Sequence, residues 1–273
     1  MDWSLQLRSR TRRVRMLANR LNDIARWTDE EPYEAEADYR RTLEQCRHYL
    51  GDGHEVTLLA GLYLGRVQRF LGDYTGAVET LDTTIRCGDR VQHRDVVLLA
   101  RAVRATARSS LGAHTEAVLE LRSVVREAGS AWGDENEITL STRAHLATVL
   151  EESGEIAEAV EHMTDMLAIR CRLCGPDHHV TLCSRHALGQ ALVSAGELDR
   201  AEVEFTAAAD DAAAGWSCTL SCQYGFARIA AARGQREAAI HGYESVIQGW
   251  TDHLGPDTVR TRQARESLAE LTG

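Results

Sequence analysis

There is no lysine in the 273 residues; all 31 basic side chains are arginine. Without an ε-amino group the chain cannot form a Schiff base, and it cannot supply the lysine of a phosphate-binding loop. The arginine bias itself is accounted for by genomic base composition. Prolines number three and aromatic residues make up 5 %. Strand patterns are weak, and the abundance of Ala, Leu, Glu and Arg points to an all-α chain. No apolar run approaches the ~18 residues of a membrane span, and no export signal opens the chain. Seven cysteines at uneven spacing, with no export signal, fit a reducing cytoplasm better than a disulfide framework. No hydrolase elbow, HExxH, dinucleotide fingerprint or phosphate loop is present. No catalytic residue, metal ligand or cofactor is therefore assigned.

The net charge of −10 is unevenly spread. Residues 1 to 26 hold seven arginines against two aspartates, a net +5, which leaves −15 for the rest. So acidic a body repels DNA and anionic lipid, so the expected partners exclude nucleic acid and membrane. A basic peptide or a basic protein face suits it better.

What the sequence does contain is a repeat. Gly72, Gly112, Gly154, Gly196 and Gly234 are 40, 42, 42 and 38 residues apart. Each is followed five residues later by alanine (Ala77, Ala117, Ala159, Ala201, Ala239). Each is preceded seven residues earlier by a small residue (Gly65, Ala105, Ala147, Gly189, Ala227). A glycine at such a turn leaves a helix through a left-handed conformation without steric penalty. The two small residues describe an antiparallel helix pair with close axes. Glycine within a helix costs roughly 1 kcal/mol, so Gly65 and Gly189 imply close approach there. A second signature lies between the pairs: Gly51, Gly133, Gly175 and Gly255 each precede a threonine by six residues (Thr57, Thr139, Thr181, Thr261). A fixed period of this size means stacked repeats.

Turn, small-residue pair and loop agree in phase, and together they resemble the tetratricopeptide repeat, in its longer kinesin-light-chain form common in bacterial scaffolds. A HEAT-like solenoid shares the period but does not explain the phase. The resemblance spans roughly residues 50 to 273. It implies an all-α fold, a right-handed α-solenoid of about six antiparallel helix pairs plus a C-terminal capping helix. The whole chain, 1–273, then forms a single solenoid domain. Residues 1–50 are a degenerate first repeat with a basic first helix, 51–253 are five repeats, and 254–273 are the cap.

Expected helices run over 4–27, 33–49, 55–71, 74–88, 94–111, 114–128, 137–153, 156–173, 179–195, 198–213, 217–233, 236–252 and 258–271. In the first helix Leu7, Val14, Leu17, Leu21 and Ile24 share one face. Its arginines fit a basic arm or, more simply, a solvent face. Pro32 falls in the turn phase and can open the next helix at its first position, with Ala37 at the alanine position. The segment Cys87–Asp95 lacks the standard loop. Arg260, Arg262, Arg265 and Glu266 are expected on the outer face of the cap.

The stretch CRLCGPDHHVTLC holds Cys171, Cys174, His178, His179 and Cys183. It admits a zinc site, yet these residues straddle two helices and a repeat loop, so structural cysteines are the expectation. Cys218 and Cys222 are read as packing residues.

The resemblance also implies a concave face lined by the first helix of each pair. Its ligand-facing positions carry Tyr63, Arg66, Arg69, Thr106, His145, Thr148, His186, Gln190, Tyr224 and Arg228. The asparagines that hold a peptide backbone in the family are absent, as is the lysine–asparagine set that clamps a terminal carboxylate. The expected function is a non-catalytic scaffold that binds a protein or peptide segment in this groove. The alternatives are a small-molecule or peptide sensor, an unusual enzyme using the polar centre, or a self-assembling homo-oligomer. His145 and His186, from adjacent repeats, would make binding respond to pH between about 6 and 7.

Overall fold

A computed structural model describes residues 3–27, 31–209 and 215–273, with side chains at 11–24, 31–209 and 219–273. The described residues form thirteen helices and no strand. They are α1 (Trp3–Trp27), α2 (Pro32–Leu50), α3 (Glu55–Leu71), α4 (Tyr74–Val91), α5 (Arg94–Ser110) and α6 (His114–Trp132). Then come α7 (Glu137–Ser153), α8 (Ile156–Cys174), α9 (His179–Ser194), α10 (Leu198–Ala209), α11 (Gly215–Ala232), α12 (Arg236–Leu254) and α13 (Val259–Thr272). The chain divides into two compact units, Met1–Trp132 and Gly133–Gly273. Within each, every helix packs on the next along the chain. None of the described helices is long and apolar enough to cross a membrane. The expected extension of α10 to residue 213 lies outside the described residues, as do the side chains of Leu7, Arg8, Arg10 and Cys218.

The two glycine classes have different jobs. At the turn glycines the chain is left-handed, for example φ 86° and ψ 7° at Gly72. The Asp73 amide then donates back to the Gln68 carbonyl at 2.9 Å, which satisfies an otherwise orphaned helix end. At Gly51, Gly175 and Gly255 φ is near 90° but ψ is near 162°, a region closed to a residue with a Cβ. The threonine six residues on explains the loop signature. Thr57, Thr139 and Thr181 each donate from Oγ1 to the glycine carbonyl at 2.8 Å, and Thr261 does so at 3.1 Å. All four threonines are buried. The loop side chains add caps. His54 and His178 accept through Nδ1 from the amides two residues on, and Asn136 accepts in the same way through Oδ1.

The five alanines after the turns are all buried. Their small partners are small because a large side chain sits there. A Cβ on Gly65 would stand 2.6 Å from Leu81 Cγ, and one on Gly189 2.7 Å from Phe205 Cε1. Phe205 is fully buried and wedged between α9 and α11, where Gly225 also yields to its ring.

Three local expectations are corrected. Ala37 is exposed, whereas Ala35 is fully buried and its amide bonds to Glu31, as Ala77 bonds to Asp73. Pro32 opens α2 as its first helical residue, so the helix starts two residues early relative to the repeat phase. Helix α4 does not stop at Gly88. It runs on to Val91, because Gly88 makes room for Val97 of α5, and Gln92 takes the left-handed turn at φ 60°. Arg260 and Glu266 lie on the inner side of α13, lining a cavity, rather than on the outer face. In α1, Leu17, Leu21 and Ile24 are buried and Arg12, Arg13 and Arg15 are exposed, with Arg13 stacked over Tyr49. These three arginines therefore lie on the solvent face of a packed helix.

Candidate functional site

The C-terminal unit holds an open cavity of about 700 Å³ between α9, α11, α12 and α13, with one wall residue, Glu151, from α7. Successive first helices bring four expected groove residues to it: His186 and Gln190 of α9, Tyr224 and Arg228 of α11. Each pair is separated by four residues and so shares a helix face. His145 and Thr148 are half-buried and do not line the cavity. The Thr148 hydroxyl bonds to the Ala144 carbonyl of its own helix.

Tyr63, Arg66, Arg69 and Thr106 belong to the N-terminal unit. Tyr63 packs its ring against Tyr39, centroids 5.8 Å apart. Arg66 is exposed and Arg69 half-buried. Thr106 is 1 % exposed and its hydroxyl donates to the Ala102 carbonyl of its own helix.

A hydrogen-bond ladder joins α11, α9 and α7 beside the cavity. Arg228 Nη1 donates to Gln190 Oε1 at 2.5 Å, and its Nη2 to Ser194 Oγ at 3.0 Å. Ser194 donates onward to Glu151 Oε1 at 2.7 Å. The Gln190 amide reaches His186 Nε2 at 3.3 Å. Arg260 donates to Ser221 Oγ at 3.3 Å. Arg228 is unlike Arg104, Arg143 and Arg185 on other first helices. Arg104 pairs with Asp82 and Glu120, Arg143 with Asp165, and Arg185 with Glu204. Arg228 instead meets two neutral oxygens.

The side wall is aromatic. Tyr224 stands 5.7 Å from Tyr243 and 5.4 Å from Trp250, and its hydroxyl is 3.3 Å from Ser267 Oγ. Burial, then Tyr224, pushes the Tyr243 phenol up. Burial, with Arg260 nearby, pushes His186 down to about 4. His186 is therefore neutral near neutrality, and the expected pH response between 6 and 7 does not fall on it.

Trp250 and Tyr243 come from a second helix, and Arg260, Gln263, Glu266, Ser267 and Glu270 from the cap. Counting only first-helix positions misses them. The spacing 263, 266, 267, 270 is itself a helix face and was there to be read.

The cysteine-rich stretch scatters. Cys171 is half-buried near Arg185, Cys174 is exposed at the end of α8, and Cys183 Sγ lies 3.7 Å from His179 Nε2 on α9. Among the described residues no three His, Cys, Asp or Glu side chains converge in a metal-ligating arrangement. Cys222 is fully buried in the core.

Residues 137–210 match the family model described as tetratricopeptide repeat. No curated protein matches the chain. Among solved structures, a kinesin light chain with nearly identical TPR-like repeats from Podosopora anserina is 25 % identical, with 72 % of this chain and 96 % of that one covered and a TM-score of 0.53. BtubC from P. vanneervenii is 13 % identical over 93 % of this chain and 92 % of its own, TM-score 0.55. Rap protein complexed with competence and sporulation factor is 12 % identical over 87 % and 70 %, TM-score 0.59.

Proposed function

We propose that this chain, whose residues 137–210 match the tetratricopeptide-repeat model, is a non-catalytic interaction module that binds a peptide or protein segment in the inner cavity of its C-terminal unit. The carrying observation is the convergence of His186, Gln190, Tyr224 and Arg228 on one cavity of about 700 Å³. Pre-formed pockets of this size with a few convergent polar groups are ordinary ligand sites. Arg228, Gln190 and Ser194 already hold one another, so a ligand meets a fixed surface and the cost of ordering side chains is small. The fold shared with Rap, which is complexed with competence and sporulation factor, is compatible with such a role. The same cavity volume suits a small-molecule or peptide sensor, the second reading.

The test is selection of displayed random peptides on the immobilised protein. Selected peptides should lose at least tenfold in affinity on Tyr224→Ala and on Arg228→Ala. They should be unaffected by Arg200→Ala, an exposed arginine of α10 that pairs with Glu197 just before the helix. Arg170 is unsuited as an outer control, because it is tucked between Glu137 and Ser184. Peptides that ignore both cavity variants but need Arg200 would remove the reading. A sensor would instead show a small molecule carried through purification and released by denaturation.

A further inference from the structure

The two compact units differ sharply in charge. Residues 1–132 carry twenty basic and nineteen acidic side chains, a net +1; residues 133–273 carry eleven and twenty-two, a net −11. The cavity lies wholly in the acidic unit. Its lining holds Glu151, Glu266 and Glu270 against Arg228 and Arg260, with His186 neutral. The arginines are half-buried, their forks already engaged with Gln190, Ser194 and Ser221. Arg228 is further tied through Ser194 to Glu151. Glu266 and Glu270 are different. They lie one turn apart on α13, exposed to solvent, and neither forms an ion pair among the described residues. Ser267, the neighbour of Glu266, meets the Tyr224 hydroxyl at 3.3 Å, and both glutamates line the same cavity as Tyr224 and Tyr243, so the carboxylates stand on the side of the aromatic wall. Tyr224 is the partly exposed ring of that wall.

Carboxylates beside an aromatic face at the mouth of an acidic unit suit a cation. A guanidinium takes a carboxylate through paired hydrogen bonds and lies flat on a tyrosine ring; an ammonium does each less well. We infer that the segment bound in this cavity is basic, and that it places an arginine or lysine side chain between Glu266 and Glu270 of α13 and the ring of Tyr224. This rests on the cavity being the binding site and adds the chemical class of what enters it. The rest of the unit's field draws such a segment in, so association is fast at low salt and slows as salt rises.

The probe is an acetylated, amidated hexapeptide, Gly-Arg-Gly-Arg-Gly-Arg, titrated into the full chain by calorimetry and by the ring-proton shifts of Tyr224. Its acidic counterpart, with Glu for Arg, is the first control. The basic peptide should bind at least tenfold more tightly than the acidic one. Glu266→Gln with Glu270→Gln should weaken it at least tenfold, while Glu237→Gln with Glu244→Gln, exposed on α12, should change it less than twofold. All four glutamates are exposed, and unchanged helical circular dichroism verifies that the variants fold. Equal loss from the α12 pair means the unit attracts the peptide only as a diffuse acidic surface, and overturns the inference. So does tighter binding of the acidic peptide, or a dimer of the chain that fills the cavity and is not displaced by the basic one. If displayed peptides still depend on Tyr224 and Arg228 while the hexapeptide ignores Glu266 and Glu270, the cavity remains the site and only the basic class is lost.

Discussion

Gly225→Ala is a small change at a place with no room for it. Alanine in place of glycine within a helix is worth about 1 kcal/mol in propensity, so at an open position the variant would be the more stable protein. At Gly225 the new Cβ would stand 2.3 Å from Phe205 Cζ and 2.4 Å from Cε2. Ordinary carbon contact is about 3.5 Å, so the ring must retreat by about 1 Å. It cannot retreat toward α9, where Gly189 already gives way to Cε1. His186 and Phe226 hold the ring at centroid distances of 5.9 and 5.7 Å. Overpacking of a closed core costs roughly 1–3 kcal/mol, and with both sides blocked the upper part of that range applies. The net expectation is a loss of about 1–2 kcal/mol. With a urea slope of about 2 kcal/mol/M, the unfolding midpoint of the C-terminal unit falls by about 0.5–1 M. Phe205→Leu should cost stability alone yet restore part of it when combined with Gly225→Ala, a favourable coupling of about 1 kcal/mol. A stabilised single variant, or strictly additive losses in the double one, would refute the account of why these helix glycines are glycine.

Ala201→Leu puts a large side chain at a fully buried position in the same helix pair; it should lower stability by ~1–3 kcal/mol in the same urea assay, and a neutral result would mean the phase of the repeat is misread. Thr181→Val keeps the shape but leaves the Gly175 carbonyl without its buried donor; a loss of about 1–2 kcal/mol is expected by thermal unfolding, and a loss near zero would mean that the clasp does not stabilise the loop. The His186 ring, pushed down to about 4 from 6.5, stays neutral in the folded chain while the unfolded chain takes up a proton. Its contribution is therefore fully present above pH 6.5 and is lost as pH falls toward 4, on the order of 3 kcal/mol in all. His186→Gln should flatten that part of the stability–pH curve, and an unchanged slope would show that other groups carry it.

The repeat was legible because each of its marks answers one local requirement. A left-handed turn needs glycine, a crowded helix crossing needs alanine, and a glycine carbonyl in the loop needs the threonine hydroxyl six residues on. Such constraints recur with the period and so stand out in a single sequence. Boundaries failed where a residue served a neighbour rather than its own helix. Helix α4 was expected to end at Gly88, which is instead a seat for Val97; Ala37 held the alanine phase, yet Ala35 is the buried one. Half of the cavity was legible, because Gln190 and Arg228 occupy repeating positions. Tyr243, Trp250 and Arg260 were not, since they reach the same space from a second helix and from a cap. Nor could spacing foretell that His186 would be stripped of its proton by burial, or that Thr106 would be spent on its own helix.

Helix α13 is a wall of the cavity and also the described helix with the thinnest anchorage. Only Thr261 and Ala264 within it are buried, against Ala239, Tyr243, Val246, Trp250 and Leu254 of α12. Its first turn is pinned by the Thr258 cap and the Thr261–Gly255 bond, whereas Ala269, Glu270 and Thr272 face water. Its amide protons should exchange in a gradient, slow near Ala264 and fast beyond Ser267, by local opening that costs far less than unfolding the unit. Such a gradient would mark the wall that carries Glu266 and Glu270 as a flap hinged at its N-terminal end, with Leu268 and Leu271, packed against Ala227, Ala239 and Tyr243, as its catch. A segment seated against it would slow exchange across the last two turns, and the height of that protection would measure how firmly the flap is held shut.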